Sequence, residues 1–311
     1  MKKFILFSIW SICQLKAYSV ILLKNIFNPF EINKIKRLAE RNALCDEMDI
    51  SEQVVWKKRI EMAVSSPDNA FIPRVSGAGT FEGNHLVMHN GLKIQPISYY
   101  GVSILKMLID NKGVHEPQEE RIFQEVLKTI PENSTMIELG SYWAFYSMWF
   151  AKNIKGAKCY MIEPEPANLM FGKKNFRING LSGSFYQSFI GNTSFYSRKG
   201  ERGISVDDYV KKNKIGFVYI LHSDIQGFEV QMLKGSTKLF ESKNVGYVFI
   251  STHSNEKHYE CMAFLQKYNF VIIAEANLDE SDSVDGVIVA KAPYINGVEK
   301  VDISKRTSVV N

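Results

Sequence analysis

The sequence predicts an α/β fold, in which an open sheet carries helices on both faces. Its second half alternates short apolar runs with helical patterns, as βαβ units do. The apolar pair Met136-Ile137 leads to Gly140 and then to a helix-compatible aromatic run, 144–150. A second apolar run, 158–162, ends in Glu163. In open α/β sheets ligands bind at the carboxyl ends of the strands, so we expect the functional site there.

Gly140 and Glu163 have the spacing of a ribose-binding site. Glycine permits a sharp turn and the close approach of a ligand. Glu163 lies 23 positions after Gly140, near the ~20-residue offset at which an acid meets ribose hydroxyls in dinucleotide folds. A carboxylate suits a vicinal diol because it accepts two hydrogen bonds. The alternative is a solvated turn acid ahead of Pro164.

The turn after Gly140 favours S-adenosylmethionine (SAM) over a nicotinamide dinucleotide. Ser141, Tyr142 and Trp143 follow the glycine, so the pattern G-x-G-x-x-G is absent. A pyrophosphate needs the second glycine of that pattern for close approach. A ligand with an adenosine but no pyrophosphate fits better, and SAM is the obvious one.

Three segments carry a resemblance to a known family. They are IELGSYWAFYS (137–147), ISVDDYV (204–210) and SDIQGFEVQMLKGS (223–236). In order and spacing they resemble the FkbM family of SAM-dependent methyltransferases over about 114–292. The resemblance implies a Rossmann-like sheet of seven strands, with the last two antiparallel. Ala144 departs from the family pattern by replacing a glycine, and Gln226 by replacing a glutamate. Alanine resists a positive φ.

The resemblance also implies a set of cofactor-binding residues. Among them, Glu116 in the segment HEPQEE would lie beside the methionine end of SAM. From the residues alone, Glu116 is equally a residue at the start of a helix, and Asp207 is equally a first-turn helix charge. The expected cofactor-binding set is Glu116, Glu138, Gly140, Ser141, Glu163 and Asp207.

Two predicted strands deliver histidines and an acid to the same sheet edge. Strand four ends in His222 and Asp224, and strand five ends in His253. Methyl transfer to a hydroxyl needs a base that takes its proton, and histidine titrates near neutral pH. We expect His253 to be the base and Asp224 to orient the acceptor or the methionine end of SAM, with His222 as the second choice of base. No metal is expected, because the octahedral oxygen pattern is missing.

The leading hypothesis is an O-methyltransferase that acts on a hydroxyl of a sugar, a glycan or a similar polar metabolite. The acceptor class is implied by the resemblance. The alternative, motivated by Ala144 and Gln226, is a SAM-binding scaffold in glycan assembly without transferase activity. The formal net charge of +5 comes without a basic cluster, so no nucleic-acid partner is expected. Four scattered cysteines indicate a reducing compartment, the cytoplasm.

We predict four parts of the chain. Residues 1–30 are apolar with interspersed lysines and too short to span a bilayer; they are either helices packed on the catalytic domain or a peripheral membrane anchor. Residues 31–112 contain helices and a hairpin at Asn90-Gly91. The aromatics of this region form a lid or acceptor wall, or they pack the domain edge. Residues 113–292 are the methyltransferase domain and 293–311 a tail.

Overall fold

The computed structural model describes residues 29–41, 44, 50–197 and 200–306. The predictions for residues 1–28 therefore lie outside the described residues. Within the described ranges, no helix is long and apolar enough to cross a membrane.

A seven-stranded sheet forms the centre of the structure, as predicted. The strands of this sheet are β4 (Thr135–Leu139), β5 (Lys158–Glu163), β6 (Ser184–Gln187), β10 (Val218–Ser223), β11 (Val245–Thr252), β12 (Val271–Ala276) and β13 (Gly286–Lys291). Across the sheet they lie in the order β12-β13-β11-β10-β4-β5-β6.

Only β13 runs against the other six strands. The pairs from β11 through β10, β4 and β5 to β6 are parallel, whereas β13 is antiparallel to both β11 and β12. The last two strands are thus antiparallel to each other, as the resemblance implied. The register pairs Thr252 with Gly286. The carboxyl end of β11 therefore meets the amino end of β13.

Helices alternate with these strands and cover both faces of the sheet. Successive strand residues enter different apolar clusters, for example Phe249 in one and Val248 in the other, because side chains alternate across a sheet. The helices of this half are α4 (Pro117–Leu127), α5 (Phe145–Asn153), α6 (Pro166–Ile178), α7 (Val206–Lys212), α8 (Glu229–Lys234), α9 (Thr237–Glu241) and α10 (Asn255–Lys267).

In the described ranges, the N-terminal region holds three α-helices, a short 3-10 helix (Pro67–Phe71) and a small sheet. The Asn-Gly hairpin is confirmed: Leu86 pairs with Ile94, and Gly91 adopts φ 77°. Asn179, directly after α6, binds this hairpin, because its Oδ1 accepts from the N–H of Lys93 at 2.9 Å. The elements are α1 (Pro29–Glu40), α2 (Ile50–Ser65), β1 (Phe81–Glu82), β2 (His85–Val87), β3 (Lys93–Ile94) and α3 (Gly101–Asp110), of which β1 and α3 were not predicted.

Two segments of the second half interrupt the regular alternation of strands and helices. Residues 184–190 are divided between two sheets: β6 joins the main sheet, while β7 (Phe189–Ile190) pairs with β9 (Arg202–Ile204) in a small sheet that also contains β8 (Phe195–Tyr196). The helix that follows β10 begins at Glu229. Gln226 and Gly227 adopt φ 51° and 96°, which a right-handed helix does not allow.

A buried carboxylate joins the N-terminal region to the C-terminal tail. Asp68 is fully buried, and its Oδ1 lies 2.5 Å from a guanidinium nitrogen of Arg121 in α4. Its Oδ2 accepts from the N–H of Ser304 at 2.9 Å and from the hydroxyl of the same residue. Since a buried charge is costly without partners, this contact stabilises three separate segments against one another.

Candidate functional site

The loop after β4 forms one wall of the carboxyl edge of the sheet. Gly140 adopts φ 68°, and a Cβ there would lie 1.8 Å from the carbonyl oxygen of Asp224. Tyr142 and Ala144 also have positive φ, 45° and 62°. Ala144 thus takes the conformation that we expected it to resist, at a typical strain of about 1–2 kcal/mol. The loop turns tightly despite the missing glycine.

Glu163 joins this loop to the end of β5. Its carboxylate accepts hydrogen bonds from the N–H groups of Tyr142 at 3.0 Å and Glu165 at 2.9 Å. The residue is 5% exposed. Burial raises the pKa of Glu163 to about 7 in spite of these two donors. Each carboxylate oxygen has two lone pairs, so capacity for a hydroxyl donor is left.

Three other expected cofactor residues are placed by local contacts. Glu138 accepts from the N–H of Ser147 at 3.1 Å and so holds the start of α5; burial raises its pKa. Asp207 accepts from two backbone N–H groups at the start of α9, those of Lys238 and Leu239. Ser141 is 2% exposed, and its hydroxyl has no partner among the described residues. Their roles toward a cofactor stay predictions.

His253 and Asp224 come together as predicted, within a group of carboxylates. The imidazole Nδ1 lies 2.7 Å from Oε1 of Glu229, and Nε2 lies 3.3 Å from Oδ1 of Asp224 and 3.4 Å from Oδ1 of Asp285. Burial opposes protonation of His253, yet hydrogen bonds to Asp224 and Glu229 and the charge of Asp285 raise its pKa to about 11. These carboxylates favour an imidazolium at neutral pH.

The side-chain amide of Gln226 contacts the imidazole of His253, so its orientation depends on whether that ring is protonated. Its amide nitrogen lies 2.8 Å from Nε2 of His253 and 3.2 Å from Oδ1 of Asp224. In this orientation the amide donates to a neutral imidazole. An imidazolium instead requires the amide turned by 180°, with its oxygen toward the ring, and the two orientations differ only in which atom is assigned as nitrogen. The base role of His253 needs the neutral form and stays a prediction.

Asp285 is a site residue that the sequence reasoning missed. It directly precedes β13, whose first residue pairs with Thr252 at the end of β11. Burial raises the pKa of Asp285 to about 6; His253 acts against this rise and Asp224 adds to it. The antiparallel last strand was a usable signal, because it returns its amino end to the site.

A cleft lies beside this group. Glu116 lines it together with Asp285. Oε2 of Glu116 accepts from the hydroxyl of Tyr146 at 2.9 Å and lies 3.3 Å from Nε2 of His115. The lining residues are Glu116, Pro117, Gln118, Glu119, Ser251, Ser281, Ser283, Asp285, Gly286 and Val287.

His222, the second choice of base, has a different set of neighbours. It is 3% exposed, and its Nε2 lies 2.6 Å from Oε1 of Glu119. The other oxygen of Glu119 accepts from the hydroxyl of Ser251 at 3.0 Å. His222 thus connects β10 to α4 and to the end of β11. Burial opposes its protonation, but Glu119 raises its pKa overall.

The N-terminal region reaches the loop after β4 through aromatic side chains. Tyr99 stacks on Trp143, with ring centroids 4.8 Å apart, and the N–H of Tyr100 donates to the hydroxyl of Tyr142 at 2.7 Å. Arg59 of α2 is 8% exposed and donates to the hydroxyl of Tyr99 at 2.9 Å. No pattern in the sequence singled out Arg59.

One segment of the chain matches the model of a known protein family. Residues 173–272, about a third of the chain, match the family model of the methyltransferase FkbM domain. The resemblance is confirmed over this segment, which includes His222, Asp224 and His253 but begins after Gly140 and Glu163. It supports a SAM-dependent methyltransferase. No curated protein matches the chain.

Solved structures with a similar fold are distant. The M. capricolum protein TrmK in complex with S-adenosyl-homocysteine is 14% identical, with a TM-score of 0.40 over 56% of this chain and 71% of that one. A putative rRNA-methylase from Clostridium thermocellum is 8% identical, with a TM-score of 0.43 over 56% and 94%. Precorrin-6y C5,15-methyltransferase from Geobacter metallireducens is 10% identical, with a TM-score of 0.38 over 55% and 87%.

The groups at the sheet edge fit SAM. Glu163 retains acceptor capacity for ribose hydroxyls, and the buried hydroxyl of Ser141 lacks a partner among the described residues. Burial would raise the pKa of Glu116, but His115 lowers it overall. An ionised carboxylate at this position suits an ammonium group.

Proposed function

We propose that this methyltransferase methylates a hydroxyl of a sugar, a glycan or a similar polar metabolite. The supporting observation is Asp285, a carboxylate that lines the cleft and lies 3.4 Å from His253. With a pKa of about 6, it is ionised at neutral pH and still basic enough to accept a proton, which is the condition for efficient general-base catalysis.

SAM supplies a methyl group that its sulfonium has already activated. The chain therefore has to hold the acceptor oxygen in line with that methyl carbon and close to it. As the O–C bond forms and the C–S bond breaks, the hydroxyl proton passes to the carboxylate of Asp285. His253, in its imidazolium form, holds Asp285 and Asp224 side by side. In its neutral form His253 would itself be the base, as the sequence analysis proposed.

The charge of the cleft favours a small uncharged acceptor over a nucleic acid. Glu116, Glu119 and Asp285 line it, and all three are acids. A phosphate group placed there would meet like charges. Hydroxyl groups, by contrast, donate hydrogen bonds to carboxylates, which are strong acceptors.

Formation of S-adenosylhomocysteine tests the proposal. The purified protein is incubated with SAM and with matched acceptors: neutral monosaccharides and glycosides, their phosphorylated forms, and RNA. We expect turnover with a neutral hydroxyl acceptor, and loss of that turnover in Asp285→Asn. The scaffold alternative predicts SAM binding without product for every acceptor, and turnover confined to RNA would contradict the acceptor class.

A further inference from the structure

Behind Glu116 lies a chain of buried histidines and carboxylates that the proposed reaction does not use. Nε2 of His115 lies 3.3 Å from Oε2 of Glu116, and Nδ1 of the same ring lies 2.6 Å from Oε1 of Glu120. The other oxygen of Glu120 lies 2.8 Å from Nε2 of His89. His89, His115 and Glu120 are 2%, 3% and 0% exposed. Two imidazoles and two carboxylates thus alternate from the core to the cleft.

The backbone fixes the centre of this chain. Oε1 of Glu120 also accepts from the N–H groups of His115 at 2.7 Å and Glu116 at 3.0 Å. The ring of His115 is held by aromatic neighbours, edge-on against Tyr99, Trp143 and Phe145 at centroid distances of 4.7 to 5.1 Å. His115 therefore has little freedom to turn away from Glu116.

Only the last member of the chain meets the cleft. The side chain of Glu116 is 14% exposed and lines the cleft. Its contacts to Tyr146 and His115 both use Oε2. Among the described residues no contact engages Oε1, which is thus left for a ligand.

We infer that Glu120 is a positioning residue, which holds His115 so that Glu116 presents an ionised carboxylate to a cationic group in the cleft. The cationic group would be the ammonium of the cofactor's methionine end, so the inference rests on the proposed function. Glu120 itself does not touch the ligand.

The charges along the chain account for its effect. Burial opposes protonation of His115, but Glu120 and Glu116 raise its pKa to about 10. The imidazolium in turn lowers the pKa of Glu116, against burial and Asp224, with a further contribution from Arg59. The charged and titratable groups that interact with His115 or Glu116 from the surrounding elements are Arg59, Tyr99, Glu119, Glu120, Tyr146, Asp224 and Asp285, and His89 lies beyond Glu120.

Glu120→Gln tests the inference, because it removes the charge but keeps an acceptor for the two N–H groups. Without Glu120, burial should leave His115 neutral near pH 7, and Glu116 should then protonate more easily. Because Glu163, with a pKa of about 7, titrates in both proteins, the readout is the ratio of the SAM affinity of Glu120→Gln to that of the wild type between about pH 5.5 and 8. We expect this ratio to fall at least tenfold as the pH drops across this range. Glu125→Gln, an exposed position on the same helix, is the control.

Two readouts separate this inference from the proposed function. Nitrogen NMR of the imidazoles reports whether His115 is charged without any ligand: it should be an imidazolium at pH 8 in the wild type and neutral in Glu120→Gln. Calorimetry with SAM gives the affinities. If Glu116→Gln is already present, adding Glu120→Gln should change SAM affinity no further, because the two act through one carboxylate.

The outcomes are distinct. A neutral His115 in the wild type at pH 8 overturns the inference even if Glu120→Gln does not fold or SAM does not bind. A ratio of variant to wild-type SAM affinity that does not change with pH also overturns it. Failure to methylate any acceptor, with the expected NMR and calorimetric results, would reject the proposed reaction and leave the positioning role standing.

Discussion

Oδ1 of Asp285 lies 3.4 Å from Nε2 of His253, although the two residues belong to different strand ends. Asp285 precedes an antiparallel strand, and His253 follows the parallel strand beside it. This pair places a carboxylate with a raised pKa and an imidazole with a raised pKa in contact at the cleft. If the acceptor is a hydroxyl, as proposed, its proton goes to Asp285 when His253 is an imidazolium and to His253 when the ring is neutral, and pH separates the two cases.

Replacing Asp285 with asparagine should slow methyl transfer. A positioned general base typically contributes about 10²–10⁴-fold, and the amide cannot accept the proton. In the wild type the rate should rise with pH through about 6 and then level off, because the pKa of Asp285 is about 6. The measurement is a pH–rate profile of both proteins with SAM and a hydroxyl acceptor.

The exposed neighbour Asp279 provides the control, since Asp279→Asn should keep both the rate and the profile. SAM affinity should be nearly unchanged in each variant. A rate limb that appears only far above pH 8, together with an active Asp285→Asn, would return the base role to His253.

His253→Gln should change how stability depends on pH. The pKa of His253 in the folded protein, about 11, lies above the ordinary ~6.5. The ion pairs of the imidazolium thus stabilise the fold fully below about pH 6.5, and this stability is lost as the pH rises toward 11. Denaturant unfolding at pH 6 and pH 9 should show a larger difference between wild type and variant at pH 6.

A difference that stays constant between the two pH values would instead indicate the neutral imidazole that accepts from Gln226. That outcome would favour His253 as the base. In either case the rate of methyl transfer should fall in His253→Gln, while SAM affinity stays nearly unchanged.

The sheet could be predicted from the sequence because its signals are local. Buried parallel strands read as apolar runs, and glycine or an acid ends them, as at Gly140 and Glu163. Asp224 and His253 were expected to lie close together because each follows a parallel strand, and such strands end at the same edge of the sheet. Asp285 and Arg59 could not be found in this way. The position of Asp285 depends on the antiparallel order of the last strands, and that of Arg59 depends on how α2 packs across the domain. Neither arrangement leaves a local pattern in the sequence.

Asp207 shows that a motif match does not give the contacts of a side chain. The resemblance implied a cofactor residue, and first-turn helix charge was the alternative. In the structure both of its carboxylate oxygens accept backbone N–H groups of α9. A motif match gives a position in the chain, but the partners of a side chain depend on which helix follows it in space.

Glu163→Ala should weaken SAM binding by about 1–3 kcal/mol, because the ribose hydroxyls lose a charged acceptor. Since Glu163 also holds the N–H of Tyr142, a moderate loss of stability should accompany it. Glu165→Ala is the matched control, because Glu165 donates its backbone N–H to Glu163 and keeps it after the substitution. Calorimetry measures the SAM affinity and the thermal stability of each variant. Equal SAM affinity in the wild type and Glu163→Ala would exclude the ribose role.

Gly140→Ala should lower the free energy of unfolding far more than Gly180→Ala does. Both glycines have a left-handed backbone, with φ 68° and 64°, so alanine brings a similar strain of about 1–2 kcal/mol to each. At Gly180 the new Cβ meets nothing within 4 Å, whereas at Gly140 it would lie 1.8 Å from the carbonyl oxygen of Asp224. One of the two loops must therefore move.

We expect Gly180→Ala to lose only the strain energy and to keep SAM binding and methyl transfer. Gly140→Ala should lose about 2–5 kcal/mol of unfolding free energy, because about 1–3 kcal/mol of overpacking is added to the same backbone strain of about 1–2 kcal/mol. A variant that still folds should transfer methyl groups more slowly, because the displaced loop carries Asp224 away from His253. Denaturant unfolding and initial rates on the two variants decide this. Equal stability losses would mean that the loops after β4 and β10 do not touch in solution as they do in the structure.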